Sequence, residues 1–538
     1  MGVTAGEEFD YVIVGAGTAG CVLANRLTED GKATVALIEA GSSDAHPYIT
    51  MPAAFTYAIS SDRFDWGYSS APEPHLDGRA IPCPRGRVLG GSSSVNAMAF
   101  VRGQHRDYDE WAAGGLVGWA WADCLPYFKR VETFSGGADA LRGDDGPLHV
   151  TRPIYSTPLN ARFLAACAEA GYRPGIDTNG ASQEGFGPMD QTIHHGRRES
   201  AARAYLAPAK SRANLRIFTS VLADRVRLEG GRAAGVEVLR DGRRSAVTAR
   251  REVILSAGAI GSPAILQRSG IGDASALRSL GISVAVDRPA VGRDLQDHVD
   301  VSFKQIAMEP VTVSPELRLR NKARAFLRWW LFKTGPVATN HFEVAGYIRS
   351  SAAADRPDVQ ICFIPLLVDV HGKPVGAGHG YQMTIMGLRP ASRGAVTLTS
   401  ADPAAAPGIL FNYLSREEDI APLRDGIRRV REIVEQPAFA SLKGQELEPG
   451  EALQSDRELD GFIRQTAKST HHPCGTCRMG ADAGSVVDPQ ARVRGVAGLR
   501  VVDASIMPRI TSGNINAPVF MLAEKLADAI RGIDRGAR

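Results

Sequence analysis

A chain of 538 residues is too long for one simple core, so we expect two or three domains, or two that interleave along the chain. Apolar residues make up 44% and charged residues 22%, a balance that excludes a disordered or fibrous protein. The 62 basic and 59 acidic residues leave a net charge of only +3, too even for a nucleic-acid partner.

The N-terminus and the cysteines favour a cytoplasmic protein. The opening MGVTAGEEFDYVIVG has acids and no basic residue ahead of its apolar run, so it is not typical of a secretory signal peptide. The sequence has no apolar stretch near the roughly 20 residues that a membrane span needs. Seven cysteines are an odd number spread over a long chain, which favours free thiols.

A dinucleotide-binding turn is predicted at the start of the chain. An apolar, β-branched run over residues 9–14 predicts a buried strand, and it ends in the G-x-G-x-x-G pattern of residues 15–20. A helix-patterned stretch follows, and a second strand over 34–38 ends at Glu39. Such glycines let backbone amides approach a pyrophosphate at a helix N-terminus. An acid at Glu39 suits a ribose hydroxyl and disfavours a 2′-phosphate, which leaves FAD or NAD, with a purely structural turn as the alternative.

Two more glycine-rich segments follow. Residues 84–98, PRGRVLGGSSSVNAM, are unsuited to a helix or strand and predict a loop held against something flat or anionic. Residues 256–272, SAGAIGSPAILQRSGIG, follow the strand-like REVILS with a glycine turn that opens a short helix.

The segment STHHPCGTCRMG near the C-terminus could be a metal site, a redox disulfide or a catalytic base. Adjacent His471 and His472, without a second Cys-x-x-Cys, do not match a structural zinc site, so we predict no metal. Arg478 stands where c-type haem attachment needs a histidine. A thioredoxin-like disulfide would need a redox βαβ unit around the pair, whereas the dinucleotide turn supplies a different redox agent.

Acid–base catalysis is the remaining hypothesis for this segment. Removal of the hydroxyl proton lets an alcohol release hydride, and a neutral imidazole is a suitable base near neutral pH. Cys474 and Cys477 are then expected to be buried, small and apolar.

The last landmark is residues 501–528, VVDASIMPRITSGNINAPVFMLAEKLAD. Together with the glycine-rich segments and the histidine segment, it resembles the sequence pattern of the glucose–methanol–choline (GMC) flavin oxidoreductases, in their choline dehydrogenase-like or alcohol oxidase-like branch. The resemblance implies an α/β and α+β fold, in which a Rossmann-like FAD-binding domain interleaves with a substrate domain of antiparallel sheet. The expected FAD-binding segments are 1–152, 195–298 and 466–538, the last of them catalytic, and the expected substrate segments are 153–194 and 299–465.

The resemblance also implies catalytic residues. It assigns the general base to His472 and places Asn514 where the family has a second catalytic residue, a histidine in some members and an asparagine in others. His471 is expected either to line the substrate pocket or to be structural. Asn516 and the start of the helix that follows would face the flavin edge where negative charge accumulates on reduction, with a plain helix cap as the alternative.

Further FAD contacts are implied by the same resemblance. The expected set is Gly15, Gly17, Thr18, Ala19, Gly20, Glu39, Ala40, Arg87, Gly90, Gly91, Ser92, Asn96, Ala97, Met98, Val221, Ala257, Asp503, Ala504, Asn516 and Ala517. Some members bond the flavin covalently to a histidine in the glycine–serine loop. This chain has Val95 there, so we expect non-covalent FAD.

The expected reaction is oxidation of a small-molecule alcohol to an aldehyde or ketone by hydride transfer to flavin N5, in a monomer or homodimer. An FAD-containing lyase of the hydroxynitrile lyase type is the alternative. Choline-like, aryl or furanic, aliphatic and sugar alcohols all stay open, and Glu343 is either a contact for a cationic head group or part of a structural ion pair. The electron acceptor is a quinone or other carrier, which we favour, or O2.

Overall fold

The computed structural model describes residues 7–314, 319–368 and 378–533 of the chain. The strands are β1 (Glu8–Val14), β2 (Val35–Ile38), β3 (Glu132–Phe134), β4 (Leu148–Val150), β5 (Gly185–Pro188), β6 (Ile193–His194), β7 (Arg197–Arg198), β8 (Leu215–Phe218), β9 (Leu222–Glu229), β10 (Arg232–Arg240), β11 (Arg243–Leu255), β12 (Ile271–Gly272), β13 (Val286–Asp287), β14 (Val299–Ala307), β15 (Val344–Ile348), β16 (Val359–Ile364), β17 (Gly380–Gly387), β18 (Ala395–Thr397), β19 (Gly408–Leu410), β20 (Lys443–Glu448), β21 (Lys468–Ser469) and β22 (Leu499–Val501).

The helices connect and cover these strands. They are α1 (Thr18–Thr28), α2 (Pro47–Thr50), α3 (Phe55–Ile59), α4 (His105–Ala113), α5 (Trp121–Val131), α6 (Pro158–Glu169), α7 (Ala207–Ala209), α8 (Gly258–Arg268), α9 (Ala274–Ser279), α10 (Leu319–Phe332), α11 (Ala421–Val434), α12 (Asp456–Thr466) and α13 (Asn516–Arg531).

A mixed sheet holds the dinucleotide turn. Its order is β8-β2-β1-β11-β10-β9, with β22 also paired to β11. Strands β8, β2, β1, β11 and β22 run parallel, whereas β10 is antiparallel to both β11 and β9. Strand β2 is buried along its whole length, as parallel strands covered on both faces are. The predicted strands over 9–14 and 34–38 are therefore confirmed as β1 and β2.

A second sheet is wholly antiparallel. Its order is β20-β14-β17-β16-β15-β5, with β21 paired to β14. Helices α6, α11 and α12 contribute Phe163, Ile427 and Ile463 to the same buried core as its strands. The two sheets take their strands alternately along the chain, which confirms the predicted fold class, and the segment boundaries proposed above stay a prediction.

Helix α13 packs against α1 and α5, which joins the first and last helices of the described residues. Glu524 of α13 is fully buried, accepts three hydrogen bonds from Arg26 of α1 and one from the hydroxyl of Tyr205 at 2.8 Å, and lies 3.2 Å from Arg130 of α5. Buried carboxylates are stable only when paired in this way. This ion pair fixes the middle of α13 against the C-terminal part of α1.

Candidate functional site

Two cavities meet between the sheets. The inner cavity, of about 340 Å³, extends from the glycine turn at Gly15 to the start of α13. The outer cavity, of about 1160 Å³, lies over the antiparallel sheet and reaches α10. His472 and Asn514 line both, so they lie at the junction.

Most residues predicted to contact FAD line the inner cavity. They are Gly15, Gly17, Thr18, Ala19, Glu39, Ala40, Gly91, Ser92, Asn96, Ala97, Met98, Val221, Ala257, Asp503, Ala504 and Asn516. Four others, Gly20, Arg87, Gly90 and Ala517, do not form part of this lining.

The glycines of the first turn have different roles. A Cβ on Gly20 would lie 1.9 Å from the carbonyl oxygen of Gly15, so Gly20 lets α1 pack against the end of β1. Gly15 has a φ of +99°, which other residues rarely adopt. A Cβ on Gly17 would meet only the carbonyl of Ser256, at 3.9 Å, so at Gly17 the turn is open to the cavity.

The inner cavity is lined by hydrogen-bond donors that lack an acceptor in the described part of the protein and could bind an anion. Helix α1 begins after Gly17 without a side-chain cap, and its first residues, Thr18 and Ala19, line the cavity. The Ser256 hydroxyl also lines the cavity and is a buried group without a hydrogen-bond partner. Helix α13 likewise begins at the cavity, where the amide oxygen of Asn516 accepts from the Thr18 hydroxyl at 2.7 Å. Helix N-termini of this kind bind phosphate groups.

Glu39 provides the complementary acceptor. Its carboxylate accepts from the amides of Ala16 at 2.9 Å and Gly41 at 2.8 Å and is 6% exposed. Burial raises its pKa to about 7, so further donors would stabilise the carboxylate, and ribose hydroxyls are donors of the right kind. These residues therefore fit the ribose and pyrophosphate of a dinucleotide such as FAD.

His472 is held by hydrogen bonds on both ring nitrogens. Its Nδ1 lies 3.0 Å from Nδ1 of His298, and its Nε2 lies 3.1 Å from the Asn514 amide nitrogen. Nε2 of His298 lies 3.0 Å from the carbonyl oxygen of Leu388. The ring of His472 is thereby fixed at the junction of the cavities.

The proton positions follow from these partners. The carbonyl of Leu388 can only accept, so Nε2 of His298 carries its hydrogen. His298 is fully buried, and burial lowers its pKa to about 4, so at neutral pH its Nδ1 is a bare acceptor. Nδ1 of His472 must then be the donor of the bond between the two rings.

It follows that Nε2 of His472 carries a lone pair and no hydrogen, and that this lone pair accepts from the Asn514 amide. Enclosure, and then the neighbouring His298, hold the pKa of His472 well below its ordinary value, so the ring is neutral at physiological pH. A neutral imidazole with an oriented lone pair can accept a proton from a ligand hydroxyl that replaces the Asn514 amide as its hydrogen-bond partner.

Asp297 fixes the backbone at the base. It accepts from the backbone amide of His472 at 2.7 Å, from the Ser469 hydroxyl at 2.5 Å and from the Tyr413 hydroxyl. Burial raises its pKa to about 6. Asp297 thus ties the segment that carries His472 to the start of β14.

Sequence reasoning did not identify Asp297 or His298. Both belong to the stretch LQDHVD, residues 295–300, where three polar residues interrupt the apolar pattern leading into β14. That interruption was a usable signal, since buried polar side chains persist where they have partners.

His471 lines both cavities but is outside this chain of hydrogen bonds. Its φ is +66°, its Nδ1 has no partner, and enclosure lowers its pKa to about 3. Its carbonyl oxygen accepts from Arg85 at 2.7 Å. The choice between a lining and a structural role stays open, although its position at the cavity is that of a lining residue.

Glu343 is not at either cavity. Its carboxylate is fully buried and accepts from the Ser156 amide at 2.6 Å, from Asn160 at 2.5 Å and from the Thr339 hydroxyl at 2.9 Å. The structure therefore places it among hydrogen-bond donors that hold the loop before β15, and not in a substrate pocket or an ion pair. Its position in the chain, which resembles that of a carboxylate in choline-like family members, was a misleading signal.

The Cys-x-x-Cys pair is buried, as predicted. Cys474 and Cys477 are both free thiols with no exposed surface, and burial raises the pKa of each. Protonated, enclosed thiols are unreactive. Among the residues that the structure describes, His, Cys, Asp and Glu side chains form no cluster that could hold a metal ion.

The outer cavity is mainly apolar. Its lining includes Ala53, Phe55, Tyr57, Ile59, Val313, Phe326, Val337, Phe342, Ile364, Leu366 and Met386. At its floor the side-chain amide nitrogen of Gln360 donates to the side-chain oxygen of Asn514 at 3.4 Å, and the side-chain oxygen Oε1 of Gln360 has no partner. Its carboxylates are engaged: Asp300 pairs with Lys468 at 3.1 Å, and Asp65 accepts from the backbone amide of Arg85.

Family models for GMC oxidoreductases match residues 9–300 with an N-terminal model and 390–523 with a C-terminal one. The chain belongs to the GMC oxidoreductase family. It is therefore an FAD-dependent oxidoreductase acting on CH–OH groups, which confirms the predicted enzyme class.

Curated relatives of this GMC oxidoreductase align along nearly all of it. The oxygen-dependent choline dehydrogenase of Brucella canis is 50% identical over 527 residues, covering 98% of this chain and 96% of that protein. The protein of the same name from Rhizobium etli is 49% identical with the same coverage.

Solved structures show the same fold. Pyridoxine 4-oxidase from Mesorbium loti superposes with a TM-score of 0.89 at 34% identity, covering 98% of this chain and 100% of that one. Formate oxidase from Aspergillus oryzae gives 0.92 at 28% identity, covering 98% and 99%.

Proposed function

We propose that this GMC oxidoreductase oxidises an apolar alcohol to the aldehyde or ketone, with His472 as general base, Asn514 holding the substrate oxygen and FAD bound without a covalent link. The observation that carries the proposal is the lone pair on Nε2 of His472, which the hydrogen-bond chain through His298 directs to the junction of the two cavities.

The proton moves along a defined path. A substrate hydroxyl that breaks the direct bond between Nε2 of His472 and the Asn514 amide would donate to the first and accept from the second. Transfer of its proton to Nε2 gives an imidazolium whose Nδ1–H still donates to His298. FAD, when bound, supplies the two-electron acceptor for the hydrogen that leaves the carbinol carbon. Asn514 stabilises the negative charge that develops on the oxygen as its proton departs.

The outer cavity supports an apolar substrate. It is large and mainly apolar, and the carboxylates in its lining already have partners. Choline is the second candidate, because the curated relatives that are about half identical are named for it. A quaternary ammonium group would bind through a free carboxylate or a cluster of aromatic rings. Glu343 does not reach the cavity, so choline would have to be held by aromatic side chains such as Phe55 and Phe342.

The acceptor is proposed to be a quinone or other carrier. Negative charge on reduced oxygen needs a nearby cation, and enclosure keeps both His471 and His298 neutral, so among these histidines only a His472 that has kept the substrate proton could supply it. Ala97 and Val95 line the inner cavity with small side chains, which would admit O2, so charge and not space supports this choice.

The cofactor cradle can be tested at one glycine. Acid precipitation of the native protein should release its FAD into the supernatant, because Val95 has no group that could bond to the flavin. Gly20→Ala should purify with much less FAD, since its Cβ would collide with the carbonyl of Gly15. Gly461→Ala in α12 is the control, because its Cβ would meet nothing within 4 Å. Flavin retained in the acid pellet, or equal flavin content in the three proteins, would contradict the proposal.

The base is tested by the rate of anaerobic flavin reduction. His472→Ala should retain FAD and lose ~10² to 10⁴ in this rate, the usual value of a positioned general base. Asn514→Ala should lose less. His298→Phe should lose about tenfold, because it removes the acceptor that orients His472. His471→Ala is the matched control and should lose far less than His472→Ala. Native rates in both His472→Ala and Asn514→Ala would refute the site.

The pH dependence separates a base from a structural histidine. A lowered pKa keeps His472 able to accept a proton at neutral pH, and only protonation below that pKa removes this ability. The limiting reduction rate should therefore be level down to about pH 6.5, the ordinary pKa of histidine, and fall only in more acid solution. His472→Ala should lose this acid limb. A native rate that climbs throughout the alkaline range would contradict the assignment.

The substrate class is tested with a panel of alcohols. Benzyl-type and medium-chain aliphatic alcohols should bleach the flavin anaerobically with kcat/KM at least about tenfold above choline, since apolar burial drives their binding. Any such bleaching also excludes a lyase that uses FAD only as a scaffold. A preference for choline would show that the cavity does not select on polarity as proposed.

The acceptor is tested by mixing anaerobically reduced enzyme with air-saturated buffer. Reoxidation should be slow relative to turnover and should accelerate when a soluble quinone is added. Reoxidation within one turnover time, with peroxide formed, would identify an oxidase instead.

A further inference from the structure

Helix α10 exposes large apolar side chains to solvent. Their exposed fractions are 41% for Phe326, 57% for Leu327, 54% for Trp330, 60% for Leu331 and 70% for Phe332. Contiguous patches of this kind are uncommon on soluble proteins and mark interaction surfaces.

The exposed residues form a stripe along the helix. Successive helical residues are rotated by about 100°, which places Phe326, Leu327, Trp330 and Leu331 on one face. The opposite face is buried through Ala325 and Trp329. Because the indole of Trp329 donates to the carbonyl of Gly196 at 2.6 Å, the helix is anchored with its stripe outward.

Basic residues border the stripe. The stretch 319–333 contains Arg320, Lys322, Arg324, Arg328 and Lys333 and no acidic residue. Arg324 and Arg328 follow the stripe on one side of the helix, and Lys322 lies on the other. An apolar stripe with aromatic residues and flanking cations is the pattern of a helix that lies in the interface of a lipid bilayer.

The stripe lies beside the mouth of the outer cavity. Lys322 and Phe326 of α10 line that cavity, as does Tyr57 of α3, which is 48% exposed. A surface covering the stripe would therefore face the entrance through which an apolar molecule reaches His472.

We propose that α10 docks this protein on an anionic lipid surface, with the stripe in the headgroup and upper acyl region and the basic residues on lipid phosphates. The charges favour lipid over a second copy of the chain, because two such helices face to face would bring ten cations together without an acid between them. Docking of this kind needs no span, and the described part of the chain has no helix long and apolar enough to cross a membrane. The proposal does not depend on the activity proposed above.

The test is co-sedimentation of the full-length protein with vesicles of phosphatidylcholine alone or with phosphatidylglycerol added. The native protein should sediment with the anionic vesicles and weakly with the neutral ones. Trp330→Asp with Leu331→Asp should reduce binding by at least about tenfold, since charges are costly in the acyl region. Arg324→Gln with Arg328→Gln should reduce the preference for phosphatidylglycerol. Val117→Asp is the control, because Val117 is 88% exposed and lies outside α10.

Circular dichroism and oxidation of a water-soluble alcohol show that each variant is folded, and light scattering gives its oligomeric state. Native protein that stays in the supernatant, or an α10 variant that sediments like the native protein, overturns the proposal. A native dimer that the α10 variant dissociates, without vesicle binding by either protein, would assign the stripe to contact between two copies and would also overturn it.

Discussion

The hydrogen bond between Nδ1 of His298 and Nδ1 of His472 is the contact on which the chemistry of the site depends. Two like atoms can share such a bond only if one carries a hydrogen and the other does not. The carbonyl of Leu388 decides which, because it obliges His298 to keep its hydrogen on Nε2. His298 then accepts on Nδ1, so Nδ1 of His472 carries the hydrogen. The lone pair of His472 is left on Nε2, on the cavity side.

This constraint explains why residues far apart in the chain must meet. Leu388 follows β17 and His298 precedes β14, the strand that pairs with it in the antiparallel sheet. His472 follows β21, which pairs with the same β14, and Asn514 lies two residues before α13. The antiparallel sheet thus orients the base, whereas α13, packed against α1 and α5, brings Asn514 to it. Burial keeps the connecting histidine neutral, so its bonding pattern is the same over the physiological pH range.

Local signals in the sequence predicted much of this arrangement. The glycine turn, the two strands around it and Glu39 follow from short-range rules, and the structure has β1, α1 and β2 in that order. His472 and Asn514 came from motifs recognised by resemblance, and the structure brings them within 3.1 Å of each other.

His298 and Asp297 were not predicted, because they act through contacts 174 and 175 residues away from the segment that they hold. Glu343 shows the converse, since a carboxylate suggested by resemblance as a substrate contact is enclosed by backbone and amide donors in the fold. The stripe on α10 was also beyond sequence reasoning, because an amphipathic pattern does not say which face is covered.

Neutron diffraction from deuterium-exchanged crystals tests the central claim most directly, because it locates the hydrogens on both histidine rings. The account predicts deuterium on Nδ1 of His472 and on Nε2 of His298, with none on Nε2 of His472. Deuterium on Nε2 of His472 at neutral pH would contradict it, because the ring could not then accept a proton from a substrate held by Asn514.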